Sequence, residues 1–344
     1  MNPPPADSPR RRSGWKGWLA AVVGGAGAAH GGVSEPAPVP PGEPPAAREP
    51  SVPARGGAAS APLPPASGPA GAASSPMPES PLSRVDVLVY QVTGAQKLKV
   101  HFARPPADRF PGPRPCIVFF HGGAWRTGDP KQFMAYAKRL AEVGIVGISA
   151  QYRLMGEDDV LPLHAVQDAR SALRFVRAKA ARLGCDPQRI GAGGGSSGGH
   201  LALMTAVAAP ARPGPAGPID DPEDDPHQTP RPDALFLMNP PLNLERYDRP
   251  VPLEQRRQLS PTLQIDAHLP PTWIFHGTVD KVVPFSQVTE FRDKARELGG
   301  GEVTVQAFPG RGHGFFNAKR GDGEDFEATL TGIEAGLKKL GWVR

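Results

Sequence analysis

Two cysteines in 344 residues, Cys116 and Cys185, are too few for a disulfide framework. One falls in a buried strand pattern and the other in a loop ahead of another strand, so both are read as free, half-buried thiols. No apolar run is long enough to span a bilayer. The 39 Lys and Arg residues are nearly matched by 34 Asp and Glu residues. They form no stripe, so the net charge of +5 leaves no footprint for nucleic acid. His, Asp and Glu residues nowhere share metal-ligand spacing, so neither a metal nor a cofactor is expected. No internal repeat is evident.

Before about residue 82 the chain has almost no aromatic or branched apolar residues after Val23. Pro, Ala, Gly and Ser dominate instead, and such a composition cannot build a core. Residues 30–82 are therefore expected to be a disordered, semi-rigid linker. Residues 1–29 differ: "RRRSGWKGWLAAVVGGAGAA" has a basic start, a short apolar stretch from Trp18 and small residues at Ala26 and Ala28, the pattern of an export signal. Arg11-Arg12 resembles a twin-arginine pair, but the residues after it do not continue that pattern. A periplasmic or secreted address is expected on this reading, and a cytoplasmic one if residues 1–29 are only a low-complexity tail.

From Arg84 to Arg344 apolar runs recur at regular intervals, over roughly 260 residues, a length that suits one α/β domain. "VDVLVYQV" (85–92) and "KLKVHFAR" (97–104) alternate apolar and polar residues around Thr93-Gly94, as an antiparallel hairpin does. "PCIVFF" (115–120), "IVGIS" (145–149), "RIGAG" (189–193), "ALFLM" (234–238) and "PTWIF" (271–275) are continuous apolar runs, as in strands buried on both faces. Segments with helical periodicity, beginning at Lys131, His164 and Ser286, lie between them. The fold class predicted is α/β, a doubly wound, mostly parallel sheet with an antiparallel start. Two stretches interrupt it: the Pro- and Asp-rich 209–232, whose acidic run Asp220 to Asp225 reads as a solvated loop, and the irregular segment from Asn239 to Pro270.

Each distinctive polar group follows a strand end, where functional groups gather in a parallel sheet. "PCIVFF" leads into His121-Gly122-Gly123-Ala124-Trp125 and "RIGAG" into Ser196-Ser197. "PTWIF" leads into His276 and Asp280, and "EVTVQAF" (302–308) into His313. A serine hydroxyl attacks at neutral pH only when a base removes its proton and a carboxylate orients that base. Serine, aspartate and histidine occur here in the chain order of α/β-hydrolases. Both serines satisfy Gly-x-Ser-x-Gly, Ser196 between Gly194 and Gly198 and Ser197 between Gly195 and Gly199, so the pattern leaves the nucleophile open.

The blocks "FFHGGAW", "ISAQYRL", "QDARSALRFVR", "DPQRIG", "GGSSGGHLAL", "PPTWIFHGTVDKVVPF" and "GRGHGFFN" resemble those of the α/β-hydrolase superfamily. Within it they are closest in kind to bacterial esterases related to the hormone-sensitive-lipase group and to feruloyl- and acetyl-esterase-like domains. The likeness covers about residues 84–344. It implies Ser196 as nucleophile, Asp280 as acid and His313 as base, with Gly122, Gly123 and Ser197 as backbone oxyanion donors. His121, His200, His276 and Asp168 fall at positions structural in the family. Gly195 stands where relatives carry a larger residue, which should loosen the turn.

The function expected is a serine carboxylic-ester hydrolase working through an acyl-enzyme, on short-acyl, acetyl-type esters of a small soluble or carbohydrate alcohol. Trp125 would stack on a sugar ring or pack in the core. One rival is a prolyl-oligopeptidase-like peptidase, although such enzymes usually carry a large gating domain ahead of the hydrolase where only a tail is expected here. Another is a binding protein on an inactive hydrolase fold, which would normally have lost a triad residue.

Overall fold

A computed structural model describes residues 85–156, 161–207, 219–247 and 251–344. The export-signal reading of 1–29, the linker reading of 30–82 and much of the 209–232 loop lie outside those residues. Eight strands form one sheet in the order β1-β2-β4-β3-β5-β6-β7-β8. β1 (Asp86–Thr93) and β2 (Gln96–Ala103) form the expected hairpin, and β2 continues antiparallel onto β4 (Val146–Ala150). β3 (Arg114–Phe120), β5 (Cys185–Gly195), β6 (Ala234–Met238), β7 (Thr272–Gly277) and β8 (Val303–Phe308) complete a parallel array with β4.

The continuous apolar runs form these central strands because both faces are covered. Along β3, Ile117 and Phe119 pack on one side with Phe133, Tyr136 and Leu140 of helix α1 (Lys131–Glu142). Cys116, Val118 and Phe120 pack on the other, with Ala165, Ala169 and Leu173 of helix α2 (Pro162–Ala178). Each buried side chain of that size contributes about 1.5–3 kcal/mol. A short helix α3 (Ala180–Leu183) ends at Gly184, and α4 (Ser197–Met204) follows β5 directly. The irregular segment holds a 3₁₀ turn and two short helices, α5 (Leu253–Gln258) and α6 (Pro261–Gln264). α7 (Ser286–Glu297) matches its periodicity. A further helix, α8 (Glu324–Lys339), lies over β6 and β7 and packs Phe326, Leu330, Ile333 and Leu337 into the same core cluster as Ile117 and Phe119.

Two expectations need correcting. Cys185 begins β5 rather than sitting in a loop, and both thiols are fully buried rather than half-buried; burial pushes the Cys116 thiol well up. The acidic run is not simply solvated. Asp220 is buried on Arg170 (2.7 Å) and Arg174 (2.9 Å), and Asp224 pairs with Arg174 at 2.6 Å. Two consecutive turns of α2 thus carry cations whose partners lie about fifty residues later, a placement local composition cannot reveal.

Candidate active site

β5 ends in a sharp turn before α4, and Ser196 occupies it with φ 53° and ψ −123°, a conformation costly for a residue with a side chain. The turn is held by the Ser196 N–H on the Met238 carbonyl (2.8 Å) and the His200 N–H on the Ser196 carbonyl (3.0 Å). Tight packing explains the glycines: a Cβ at Gly198 would overlap the backbone carbonyls of Phe120 and His121. Gly195 is packed as tightly. A Cβ there would overlap the Phe316 ring, which occupies the space that the larger residue of relatives would need.

Ser196, Asp280 and His313 come together although they lie on three strand ends. His313 Nε2 is 2.8 Å from Ser196 Oγ, and His313 Nδ1 is 2.7 Å from Asp280 Oδ2. The consistent proton arrangement has Nδ1–H donating to the carboxylate and Nε2 accepting from the hydroxyl. Asp280 is fixed at its other oxygen, which accepts the N–H groups of Val282 (2.8 Å) and Val283 (3.0 Å). Burial on its own would raise the Asp280 pKa. The His313 hydrogen bond and charge, with the Val283 and Val282 N–H groups, outweigh it and hold the carboxyl below the usual range. His276 is buried and donates to the Val283 carbonyl at 2.9 Å, bracing the Asp280 turn; burial lowers its pKa, so it stays neutral.

Of the three expected oxyanion donors, Gly122 is engaged: its N–H donates to Gln132 Oε1 at 2.7 Å. After Gly123 the loop offers the N–H of Ala124, which adopts φ 59°. The motif could not disclose this, because the acceptor that removes Gly122 comes from α1. The peptide joining His121 to Gly122 is gripped at both ends, since the Tyr152 hydroxyl donates to the His121 carbonyl at 2.8 Å. The Tyr152 ring also stacks on His121, centroids 4.2 Å apart. Asn239, at φ 45°, was not singled out either: it ties β6 to β7 by accepting the Gly277 N–H at 3.1 Å.

The remaining family positions are internal braces. Asp168 accepts from the Arg153 N–H (2.7 Å) and guanidinium (2.6 Å). His200 Nε2 donates to the Leu259 carbonyl at 2.8 Å and meets the Trp125 ring edge-on. Trp125 is buried, so the core reading holds and sugar stacking does not. Among the described residues no His, Cys, Asp and Glu group could hold a metal, and no helix is long and apolar enough to cross a membrane.

Burial pushes His121 from 6.5 down to about 4, despite its Nδ1–H bond to the Gly122 carbonyl (2.9 Å). Between those pH values the unfolded chain binds a proton at this residue and the folded chain does not, so stability falls as pH falls. The loss attributable to His121 amounts to about 3 kcal/mol across that window. Calorimetric melting of wild type and His121→Asn between pH 7 and 4.5 should show a shallower acid slope in the variant. Parallel slopes would mean that His121 does not carry this linkage.

Comparison with known proteins adds to the geometry. BD-FAE matches residues 105–224, and the prolyl oligopeptidase family matches residues 224–331. The probable carboxylic ester hydrolase LipM of Mycobacterium tuberculosis is 31% identical over 229 residues, 62% of this chain and 52% of LipM. Esterase LipC of the same organism is 28% identical over 232 residues, 59% of this chain and 53% of LipC. The chain therefore spans about half the length of these curated relatives. Esterase 2 of Thermogutta terrifontis superposes with a TM-score of 0.69 at 36% identity, over 76% of this chain and 97% of that one. That esterase has been solved with butyrate bound, with propionate bound and phosphorylated by paraoxon.

Proposed function

Because the chain belongs to the α/β-hydrolase family of esterases and lipases, we propose that it is a serine carboxylic-ester hydrolase acting on short-acyl esters. The observation that carries this reading is the unbroken hydrogen-bond chain from Ser196 Oγ through His313 to Asp280. In the first half-reaction His313 Nε2 takes the Ser196 proton as Oγ attacks the ester carbonyl, and the imidazolium then protonates the departing alcohol. The carbonyl oxygen becomes an oxyanion facing the N–H groups of Gly123, Ala124 and Ser197, the last at the start of α4. In the second half-reaction His313 deprotonates water, which attacks the acyl-enzyme, and the proton returns to Ser196 as the acid leaves. Asp280 holds Nδ1–H throughout and supports the transient positive charge.

Short acyl chains are our reading of the irregular segment after β6, whose helix α5 is mostly polar and buries none of its side chains. Butyrate and propionate in the Thermogutta esterase support the same size class. Export of such an enzyme, as residues 1–29 suggest, is part of the same proposal. With 4-nitrophenyl esters of rising length, kcat/KM is expected to peak at two to about four carbons and to fall before about eight, because each added CH₂ needs apolar surface to bury it. Activity still rising beyond eight carbons would replace this reading with a lipase. The prolyl oligopeptidase match over residues 224–331 favours a peptidase as the second reading. Prolyl 4-nitroanilide substrates separate the two, since an esterase should leave that amide nearly untouched.

A further inference from the structure

Gln132 stands in the first turn of α1 and touches both halves of the site. Its Oε1 accepts the Gly122 N–H at 2.7 Å, and its Nε2 donates to Asn317 Oδ1 at 2.7 Å. Asn317 in turn donates from Nδ2 to the Gly314 carbonyl at 2.8 Å, one residue beyond His313. Three hydrogen bonds therefore run from the loop after β3 to the loop after β8, bridging 185 positions of sequence at the Gln132–Asn317 link. One helical turn further along, Tyr136 donates to the Phe316 carbonyl at 2.7 Å, so α1 grips the histidine loop a second time without touching Gly122. Arg320 holds the His313 carbonyl itself at 2.6 Å.

We propose that Gln132 is a positioning residue of the hydrolytic reaction, locking the loop that presents the oxyanion donors to the loop that presents His313. The inference rests on the serine-hydrolase reading and goes beyond it. That reading needs donors and base; it does not require them to be tied to each other. An amide suits the task because one end must accept from a backbone N–H while the other donates to an amide oxygen. By consuming the Gly122 N–H and opposing the Tyr152 bond to the same peptide, it fixes the plane from which Gly123 and Ala124 project. In the tetrahedral intermediate the oxyanion and the imidazolium must be held at a set separation, and slack of about 1 Å is enough to cost roughly a hundredfold in rate.

Gln132→Met keeps the side-chain length and removes both bonds. It should lower kcat about 10- to 100-fold with KM little changed and the melting temperature nearly constant. Tyr136→Phe, which releases only the histidine loop, should lower kcat less. Gln132→Met combined with Asn317→Leu should be no slower than the worse single variant, because the two residues share one bond. A second readout does not depend on turnover: the downfield Nδ1 proton of His313, shielded by Asp280, should exchange with water faster in Gln132→Met. Should Gln132→Met fold poorly, Gln132→Glu retains the acceptor for Gly122 but sets oxygen against Asn317 Oδ1, and the same faster exchange is expected. An unchanged kcat, a loss lying wholly in KM, additive losses in the double variant or an unaltered His313 proton would each overturn the proposal. A wild type inert towards every ester would remove the serine-hydrolase reading instead, and proton exchange would still decide whether Gln132 holds the His313 loop.

Discussion

Ser196→Ala is expected to lower ester turnover by about five to six orders of magnitude, while Ser197→Ala keeps most of it. The two serines are adjacent and share a glycine-rich setting, but they occupy different structural positions. Ser196 has the strained backbone of the turn and points Oγ at His313 Nε2, 2.8 Å away. Ser197 is the first residue of α4, with its side chain fully buried near the Tyr152 hydroxyl, so only its N–H is offered to substrate. Alanine preserves that N–H. Removing His313 as well as Ser196 should add little, since members of a triad act as a unit. Steady-state rates on 4-nitrophenyl butyrate, with melting temperatures to confirm folding, settle the assignment. Equal losses in the two serine variants, or survival of the first, would reverse it.

The residues legible in the sequence are those whose position is set locally. Ser196, Asp280 and His313 each follow a short apolar strand by a few residues, so strand periodicity and chain order marked Asp280, His313 and the Ser196-Ser197 pair, and the family resemblance chose Ser196 from that pair. The strands were readable for the same reason: β6, and β3 beyond Arg114, are continuously apolar because helices cover both faces. What escaped depends on contacts between distant segments. No pattern around Gly122 says that its N–H is occupied, since the acceptor arrives on α1, ten residues on. Nothing near Gly195 announces Phe316, and nothing in the run from Asp220 announces the arginines of α2. The missed α8 is a different case. Phe326, Leu330, Ile333 and Leu337 recur at helical spacing, but the segment follows the last polar motif and carries none of its own.

The braces around the triad share one property that bears on how it functions. Asn239, His276, Tyr152 and Gln132 all bond to backbone groups of the loops rather than to one another's side chains. They therefore fix where the loops run, while Ser196, His313 and Asp280 are joined side chain to side chain. The Ser196 proton taken up by His313 Nε2 meets no competing acceptor among these braces, and preorganisation of this kind is where most electrostatic stabilisation of an oxyanion arises.

Asp280→Asn should lower kcat by about four orders of magnitude while leaving the fold intact, the effect of neutralising the orienting carboxylate of a triad. The asparagine oxygen can keep the Val282 and Val283 N–H groups, so the turn after β7 is retained. Its amide nitrogen would then face His313 Nδ1, now 2.7 Å from Asp280 Oδ2, and two donors cannot share that contact. The ring must turn over its tautomer, placing N–H on Nε2, where it can no longer accept the Ser196 proton. The pH behaviour separates this from simple destabilisation. Asp280 has its carboxyl pKa depressed, so its stabilising contribution is complete above the unfolded value of 3.8 and is lost only as pH falls through the lower folded value. The difference in melting temperature between wild type and Asp280→Asn should accordingly stay flat from pH 5 to 8, while the kcat deficit persists across the same range. A variant that retains its activity would assign the orienting role to another carboxylate, and a melting difference that grows steeply between pH 8 and 5 would contradict the depressed pKa.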